Sequence, residues 1–178
     1  MTSSTARTVI WADYECTFPE LSQNTTLYGH NWHNIYTPRT QANMQANDLM
    51  FSLVMSYNYT DFAQENPFVY FSTTEQDYVF QVFASYYTDL NFGYNYAQMS
   101  QEDFQKVIAE AKAKSLSNYN VPVTSEDKIV TLSTCTRVHG NTNNQRFVVM
   151  AKLVPVGTPS TTISTHSNPI AYNSSIDA

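Results

Sequence analysis

The sequence predicts a mainly β protein with flanking helices, and two observations support this fold class. Runs of β-branched and aromatic residues, bounded by turn residues, recur through most of the chain, and such runs are typical of strands. One further segment repeats its apolar residues at helical spacing. The predicted strands lie at about residues 8–12, 25–28, 67–73, 77–87, 128–134 and 146–154. The strand at 77–87 has apolar side chains on both faces, which indicates an inner strand.

The long predicted helix covers about residues 100–116. It opens with Ser100 and Asp103, which resemble a capping box, and apolar residues then recur at helical spacing. The face expected to pack on the sheet is formed by Phe104, Val107, Ile108 and Ala111, and the face expected in solvent is formed by Lys106, Glu110 and Lys112. A weaker apolar pattern at about residues 47–56 predicts a second helix, although the same pattern is compatible with a strand.

Length and composition indicate one acidic domain. The chain has 178 residues, with 15 acidic residues against 9 basic ones and a formal net charge of −6. A chain of this length can bury one sizeable core. Because nucleic acids and anionic membrane surfaces are bound through clusters of Lys and Arg, we expect neither as a partner. Residues 1–154 are predicted to form the domain, and residues 155–178, rich in Ser, Thr, Asn and Pro, a polar and loosely ordered tail.

The two cysteines do not indicate a disulfide framework or a metal site. Cys16 and Cys135 are too few for a disulfide scaffold and too far apart in sequence for a metal knuckle. Adding His30 and His33 does not make a convincing zinc site, because an HxxH pair outside a helix is a weak signal. We therefore expect no metal and no other cofactor.

The most informative segment is a hairpin predicted from the last two strands. The strands flank a polar loop at residues 136–145, and adjacent antiparallel strands bring the end of the first beside the start of the second. Cys135 and Arg146 should therefore meet at the mouth of the hairpin. A guanidinium close to a thiol favours the thiolate, which is the form that attacks carbonyl carbons. The alternative is that Cys135 is a buried strand cysteine and Arg146 a surface base.

A second candidate for chemistry is His30, which follows Gly29 at the end of the predicted strand 25–28. Glycine permits a turn there, and a histidine at a strand end is well placed to face a cleft. An isolated histidine is more often structural than catalytic, so the catalytic interpretation of His30 requires a partner such as Cys135. His33 lies three residues further on in an Asn-rich loop, where we expect it to be solvated.

Three motifs together resemble those of the sortase family. YGHN at residues 28–31, TLSTCT at 131–136 and RFVV at 146–149 follow the order of the family's His, Cys and Arg motifs. The match looks like class B, in which TLSTC is highly specific and a long helix precedes the cysteine strand. The resemblance covers roughly residues 8–153, which is most of the chain.

The resemblance implies a sortase-type β-barrel of about eight strands with flanking helices, and the activity of a cysteine transpeptidase. Cys135 would be the nucleophile and His30 the general acid and then the general base. Arg146 would hold the oxyanion or the substrate backbone with its fork of donors. The residues that would line the peptide groove are Tyr28, Ser133 and Thr134.

The same resemblance implies two substrates and a location. One substrate is the sorting signal of a secreted protein, and the other is an amine on a cell-wall precursor or a pilin. The expected location is the extracellular face of the membrane of a Gram-positive cell. Only 29 residues precede His30, so we expect this chain to lack the family's membrane anchor and part of its N-terminal region. Thr136 stands where relatives often have an acidic residue, which would alter substrate preference.

Two other functions are compatible with the residues. A catalytically silent extracellular β-domain would use the same fold to bind a peptide or a partner chain, and the reactivity of Cys135 separates it from a transpeptidase. A papain-type protease is more distant, because the local pattern around that family's cysteine is missing.

Overall fold

The computed structural model describes residues 9–170 and has a mainly β architecture in that range. Two α-helices accompany the strands, together with 3-10 helices at Gln41–Asn43 and Ser52–Asn58. The strands are β1 (Trp11–Ala12), β2 (Asn24–Tyr28), β3 (Phe68–Ser72), β4 (Asp77–Thr88), β5 (Ser117–Tyr119), β6 (Ile129–Cys135), β7 (Arg146–Val154) and β8 (Ile163–Thr165). The α-helices are α1 (Thr60–Glu65) and α2 (Gln101–Lys114).

Six strands form one sheet, in the order β1-β2-β6-β7-β4-β3, and β5 pairs with β8 in a separate two-stranded sheet. Strands β2 and β6 run parallel, whereas the other described pairs are antiparallel. The inner strands β6, β7 and β4 are buried along most of their length, as expected for strands with apolar residues on both faces. The carboxyl end of β2 therefore lies beside the carboxyl end of β6.

The six predicted strands are all present, with small differences in their bounds. The first is shorter than predicted and covers Trp11–Ala12, while Thr8 lies outside the described residues. Strands β5 and β8 were not predicted. Each has only three residues, and their mixture of polar and apolar side chains is too short to show strand periodicity.

The helix predicted at residues 47–56 is wrong in position and type. The structure has a 3-10 helix at Ser52–Asn58, followed by α1. Met50 has a φ of 60°, which is the left-handed region and cannot continue a right-handed helix. The 3-10 segment is also buried on nearly all sides, so its apolar residues do not form the one-sided stripe of an amphipathic helix.

Helix α2 begins as predicted, with the Ser100 hydroxyl accepting a hydrogen bond from the backbone N–H of Asp103. It packs against β4 through the four predicted apolar residues, all of which are buried. The opposite face differs from the prediction. Lys106 is exposed, but Glu110 and Lys112 are half-buried. Lys112 Nζ donates to the carbonyl oxygen of Val121 at 2.8 Å, which draws its side chain onto the protein.

Part of the predicted tail has regular structure. Strand β8 pairs with β5, and the side chain of Ile163 is buried in the core. Residues 171–178 lie outside the described residues. The division of the chain into a domain at residues 1–154 and a tail at 155–178 stays a prediction.

Candidate active site

The hairpin of β6 and β7 brings the thiol and the guanidinium together. Cys135 ends β6, Arg146 begins β7, and the two residues are directly opposite in the antiparallel register. Arg146 Nη1 donates to the carbonyl oxygens of Asn143 at 2.9 Å and of Gln145 at 2.8 Å. The connecting loop thus fixes the position of the guanidinium, and Cys135 is half-buried beside it.

The parallel pairing of β2 and β6 brings His30 to the same place. Tyr28 is the register partner of Ser133, so His30 follows β2 at the same level as Cys135 at the end of β6. Two hydrogen bonds extend this alignment beyond the strands. The N–H of Gly29 donates to the carbonyl oxygen of Ser133 at 3.3 Å, and Thr134 Oγ1 donates to the carbonyl oxygen of Gly29 at 2.7 Å.

One cavity of about 340 Å³, the first cavity, is lined by all six residues that were predicted to be catalytic or substrate-binding. These predicted lining residues are Tyr28, His30, Ser133, Thr134, Cys135 and Arg146. The other lining residues had no predicted role in the site, and they are Trp11, Gly29, Leu90, Tyr94 and Asn95. The structure thus brings the predicted residues together, with no exception.

Hydrogen-bonded phenols form one wall of the first cavity. The hydroxyls of Tyr94 and Ser133 are 2.8 Å apart, and Ser133 is almost fully buried. The hydroxyl of Tyr28 donates to Asp13 Oδ2 at 2.7 Å and accepts from Asn95 Nδ2 at 2.9 Å. Burial raises the pKa of both tyrosines above the ordinary value, so both phenols are neutral at physiological pH. They can therefore contribute hydrogen bonds but not charge.

Two exposed indole rings flank the imidazole of His30. The ring centroid of His30 is 5.2 Å from that of Trp11 and 5.0 Å from that of Trp32. Contacts with an aromatic ring on each side limit the movement of the imidazole. His33 is exposed, as predicted. The clustering of Trp11 with His30 had no signal in the sequence.

Asn31 connects the histidine segment to the cysteine strand. Its side chain is buried, with Nδ2 2.7 Å from Met55 Sδ and 3.4 Å from the carbonyl oxygen of Cys135. Its Oδ1 accepts a hydrogen bond from the backbone N–H of Asn34 at 2.9 Å. Asn31 is adjacent to His30 in the sequence, which is the one signal that could have identified it.

The second thiol, Cys16, lies in a different environment. It is half-buried near the carbonyl oxygens of Asn24 and Thr26, and both cysteines are free. Burial is the main cause that raises the pKa of Cys16 above its ordinary value. Cys16 does not line the first cavity. Its thiolate is thus disfavoured, and the site contains the other cysteine.

Neither a metal centre nor a membrane-spanning helix is found in residues 9–170. In that range, no group of three or more His, Cys, Asp or Glu side chains is arranged to hold a metal ion. None of the helices there combines the length and the apolar character needed to cross a membrane.

Comparison with known proteins decides the family. The sortase domain family matches residues 2–154. The chain belongs to the sortase family. Sortase B of Staphylococcus aureus is 30% identical over 148 residues, which are 83% of this chain and 55% of that protein. The chain thus spans a little over half the length of this curated relative.

Solved sortase B structures have the same fold. The Staphylococcus aureus sortase B–substrate complex has a TM-score of 0.68 and 30% identity, covering 84% of this chain and 63% of that one. A sortase B structure complexed with triglycine has a TM-score of 0.65 and 30% identity, covering 83% of this chain and 63% of that one. The predicted resemblance to class B and the mainly β sortase-type fold are both confirmed.

Proposed function

We propose that this chain is a cysteine transpeptidase that cleaves the sorting signal of a secreted protein and transfers the acyl fragment to an amine. The observation that supports the proposal is the convergence of His30, Cys135 and Arg146 on one cavity. These side chains supply a nucleophile, a proton donor and acceptor, and a charged donor for an oxyanion. The membership of the chain in the sortase family, together with its similarity to sortase B, supports the same proposal.

In the first step, the Cys135 thiolate attacks a backbone carbonyl carbon of the sorting signal. A C–S bond forms, and the carbonyl oxygen takes the negative charge. Arg146, held by the carbonyls of its loop, provides N–H donors for this oxyanion. The C–N bond then breaks as His30 gives its proton to the leaving amine. The products are a thioacyl enzyme, neutral imidazole and a released amine.

In the second step, an incoming amine resolves the thioacyl enzyme. Neutral His30 accepts a proton from the amine as its nitrogen attacks the thioester carbon. A C–N bond forms, the C–S bond breaks, and Cys135 leaves as the thiolate. The enzyme returns to its starting protonation state. The flanking rings of Trp11 and Trp32 limit the movement of the imidazole, which both steps need in the same place.

The wall of the first cavity is the proposed site for the acyl part of the sorting signal. Tyr28, Ser133 and Thr134 are the proposed substrate-binding residues, because all three line the cavity beside the thiol. The hydroxyls of Ser133 and Thr134 are already engaged with Tyr94 and with the carbonyl oxygen of Gly29. Their contribution is therefore the shape and rigidity of the wall, while Tyr28, which is half-buried, can contact a peptide in the cavity.

The relatives support the proposed substrates, and the location is part of the same proposal. One sortase B structure contains a substrate and another contains triglycine, which presents a free amine. We propose that this chain takes a sorting-signal peptide and an amine of a cell-wall precursor or pilin. Such substrates occur on the extracellular face of the cell membrane, where the chain would act.

A thioacyl adduct detected by intact-mass measurement tests this function. The protein is incubated with a panel of candidate sorting peptides, including one of the Asn-Pro-x-Thr-Asn type, and the expected result is a mass increase equal to the acyl fragment. Cys135→Ala should give no adduct. Cys16→Ala is the matched control and should keep it, since Cys16 lies outside the cavity.

Brief alkylation with substoichiometric reagent gives an independent reading of the same assignment. Peptide mapping should find the label mainly on Cys135. Burial raises the pKa of Cys16, so its thiolate is scarcer and its labelling slower. Label found mainly on Cys16, together with no adduct for any peptide, would contradict the transpeptidase and favour the silent binding domain.

A further inference from the structure

A second cavity meets the first one at the reactive pair. It has a volume of about 430 Å³, and the two cavities share only His30 and Cys135 among their lining residues. The residues that line the second cavity alone are Asn31, Trp32, Ile35, Thr136, Arg137, Thr142 and Asn143. The thiol and the imidazole thus lie between two separate spaces, which is the arrangement that an enzyme with two substrates needs.

The charge of the second cavity is set by one residue. Among its lining residues, Arg137 is the one with a permanent charge, and no carboxylate lines it. The protein as a whole is acidic, with a net charge of −6, so this positive charge is local. An anionic ligand would be repelled by the protein at long range and attracted only within this cavity.

Arg137 is held in position by its own surroundings. Its backbone N–H donates to the carbonyl oxygen of Ile35 at 2.7 Å, and Nη2 donates to Asn143 Oδ1 at 2.8 Å. Nη1 donates to the hydroxyl of Tyr36 at 3.4 Å. A guanidinium has five N–H donors, and these side-chain contacts use two of them. The remaining donors suit a carboxylate, which a guanidinium binds with matched geometry.

The chemistry of the reaction indicates which substrate binds in each cavity. Arg146 lines the first cavity, so the oxyanion and the acyl chain belong there. The leaving amine departs from the same carbonyl carbon that the incoming amine later attacks. The two steps are chemically the reverse of each other, so both amines use the same side of that carbon. That side is the second cavity, which His30 also lines.

We propose that the second cavity binds the amine acceptor and that Arg137 selects acceptors that have a carboxylate as well as the amine. This inference rests on the proposed transpeptidase function and adds the chemical class of its second substrate. The acceptor presents its amine to Cys135 and His30, and its carboxylate pairs with the guanidinium of Arg137. Because no carboxylate lines the cavity, an acceptor with an additional positive charge finds no partner there.

Competition between two acceptors tests the inference. Triglycine, which has a free carboxylate, and triglycinamide, which lacks it, are offered to the preformed thioacyl enzyme, and the two transfer products are quantified by mass spectrometry. The wild-type protein should prefer triglycine by about tenfold or more, the scale of one charge-assisted hydrogen bond. Arg137→Gln should bring the ratio close to one. Arg137→Lys keeps the charge but loses the fork, so its ratio should fall between those two values.

Lys106→Gln is the matched control, because it removes one positive charge from an exposed face of α2. It should keep the wild-type ratio. Equal use of the two acceptors by the wild-type protein, transfer to neither of them, or an unchanged ratio in Arg137→Gln would overturn the inference. Failure of the proposed function has a different signature, because the thioacyl enzyme would not form at all. The ratio is measured within each variant, so a change in overall rate does not affect it.

Discussion

Replacement of Gly29 by alanine should damage both the stability and the active site of this protein. A Cβ at Gly29 would lie 2.5 Å from Phe51 Cγ and 2.8 Å from Phe51 Cδ1, which is closer than carbon atoms pack. The backbone cannot move away easily, because the N–H and the carbonyl oxygen of Gly29 are bonded to Ser133 and Thr134. The phenyl ring of Phe51 is itself buried in the core.

The expected cost follows from this overlap. Overpacking of a well-packed site destabilises a protein by about 1–3 kcal/mol. In a domain of this size each kcal/mol lowers the Tm by about 2–4 °C, so the Tm should fall by about 2–12 °C. The strain acts one residue before His30, and a displacement of about 1 Å can cost about 10²-fold in rate. Thioacyl formation should therefore fall by more than the loss of folded protein explains.

Urea unfolding and the rate of thioacyl formation measure the two effects. Gly93→Ala is the matched control. Its Cβ would lie 2.7 Å from Tyr96 Cε2, but Tyr96 is 56% exposed and its ring can turn away. The control should change the free energy of unfolding by less than about 0.5 kcal/mol, the usual value at a surface.

A double-mutant cycle with Phe51→Leu identifies the cause. The smaller side chain makes room for the added methyl group, so the double variant should be more stable than the sum of the single changes by at least about 0.5 kcal/mol. A Gly29→Ala protein with wild-type stability would refute this account. So would additive effects in the cycle, because they would mean that Phe51 is not the obstacle.

Three further changes have defined outcomes. His30→Ala should lower turnover by more than about 10²-fold, while Cys135 still reacts with a small alkylating agent. His33→Ala should change turnover little, and equal losses of turnover in the two variants would indicate a shared structural role. Arg146→Lys should lower the rate of thioacyl formation by about 10²-fold, because it loses the fork, and a near-normal rate would mean that only the charge matters. Ile108→Ala should lower the free energy of unfolding, measured in urea, by about 2–5 kcal/mol. The exposed Lys106→Ala should lower it by less than about 0.5 kcal/mol, and an equally small value for both variants would exclude burial of that helix face.

The half of the site that lies on the β6–β7 hairpin could be predicted from the amino-acid sequence. The facing positions of Cys135 and Arg146 follow from two consecutive strands and the loop between them, and the structure has them opposite in register. Such local pairing can be predicted because neighbouring strands joined by one loop have few alternative arrangements. The buried face of α2 was predicted for a similar reason, since its helical spacing depends only on nearby residues.

The position of His30 beside Cys135 could not be derived from spacing alone. The two residues are far apart in the chain, and they meet because β2 pairs in parallel with β6. Parallel pairing requires a long crossover, and nothing in a short strand specifies which distant strand it will join. The motif resemblance predicted this proximity, whereas the residues themselves left it open.

The other side chains around the reactive pair are brought there by the folding of the whole chain. Trp11, Tyr94 and Arg137 come from three separate segments, and the sheet and its loops bring them to the two cavities. The structure also gives a different reason for the presence of a glycine at position 29. That residue does not have a positive φ, and a glycine is needed because the ring of Phe51 lies against its backbone. Such contacts depend on the packing of distant segments, which periodicity and turn signals do not encode, because those report only on a residue and its nearest neighbours along the chain.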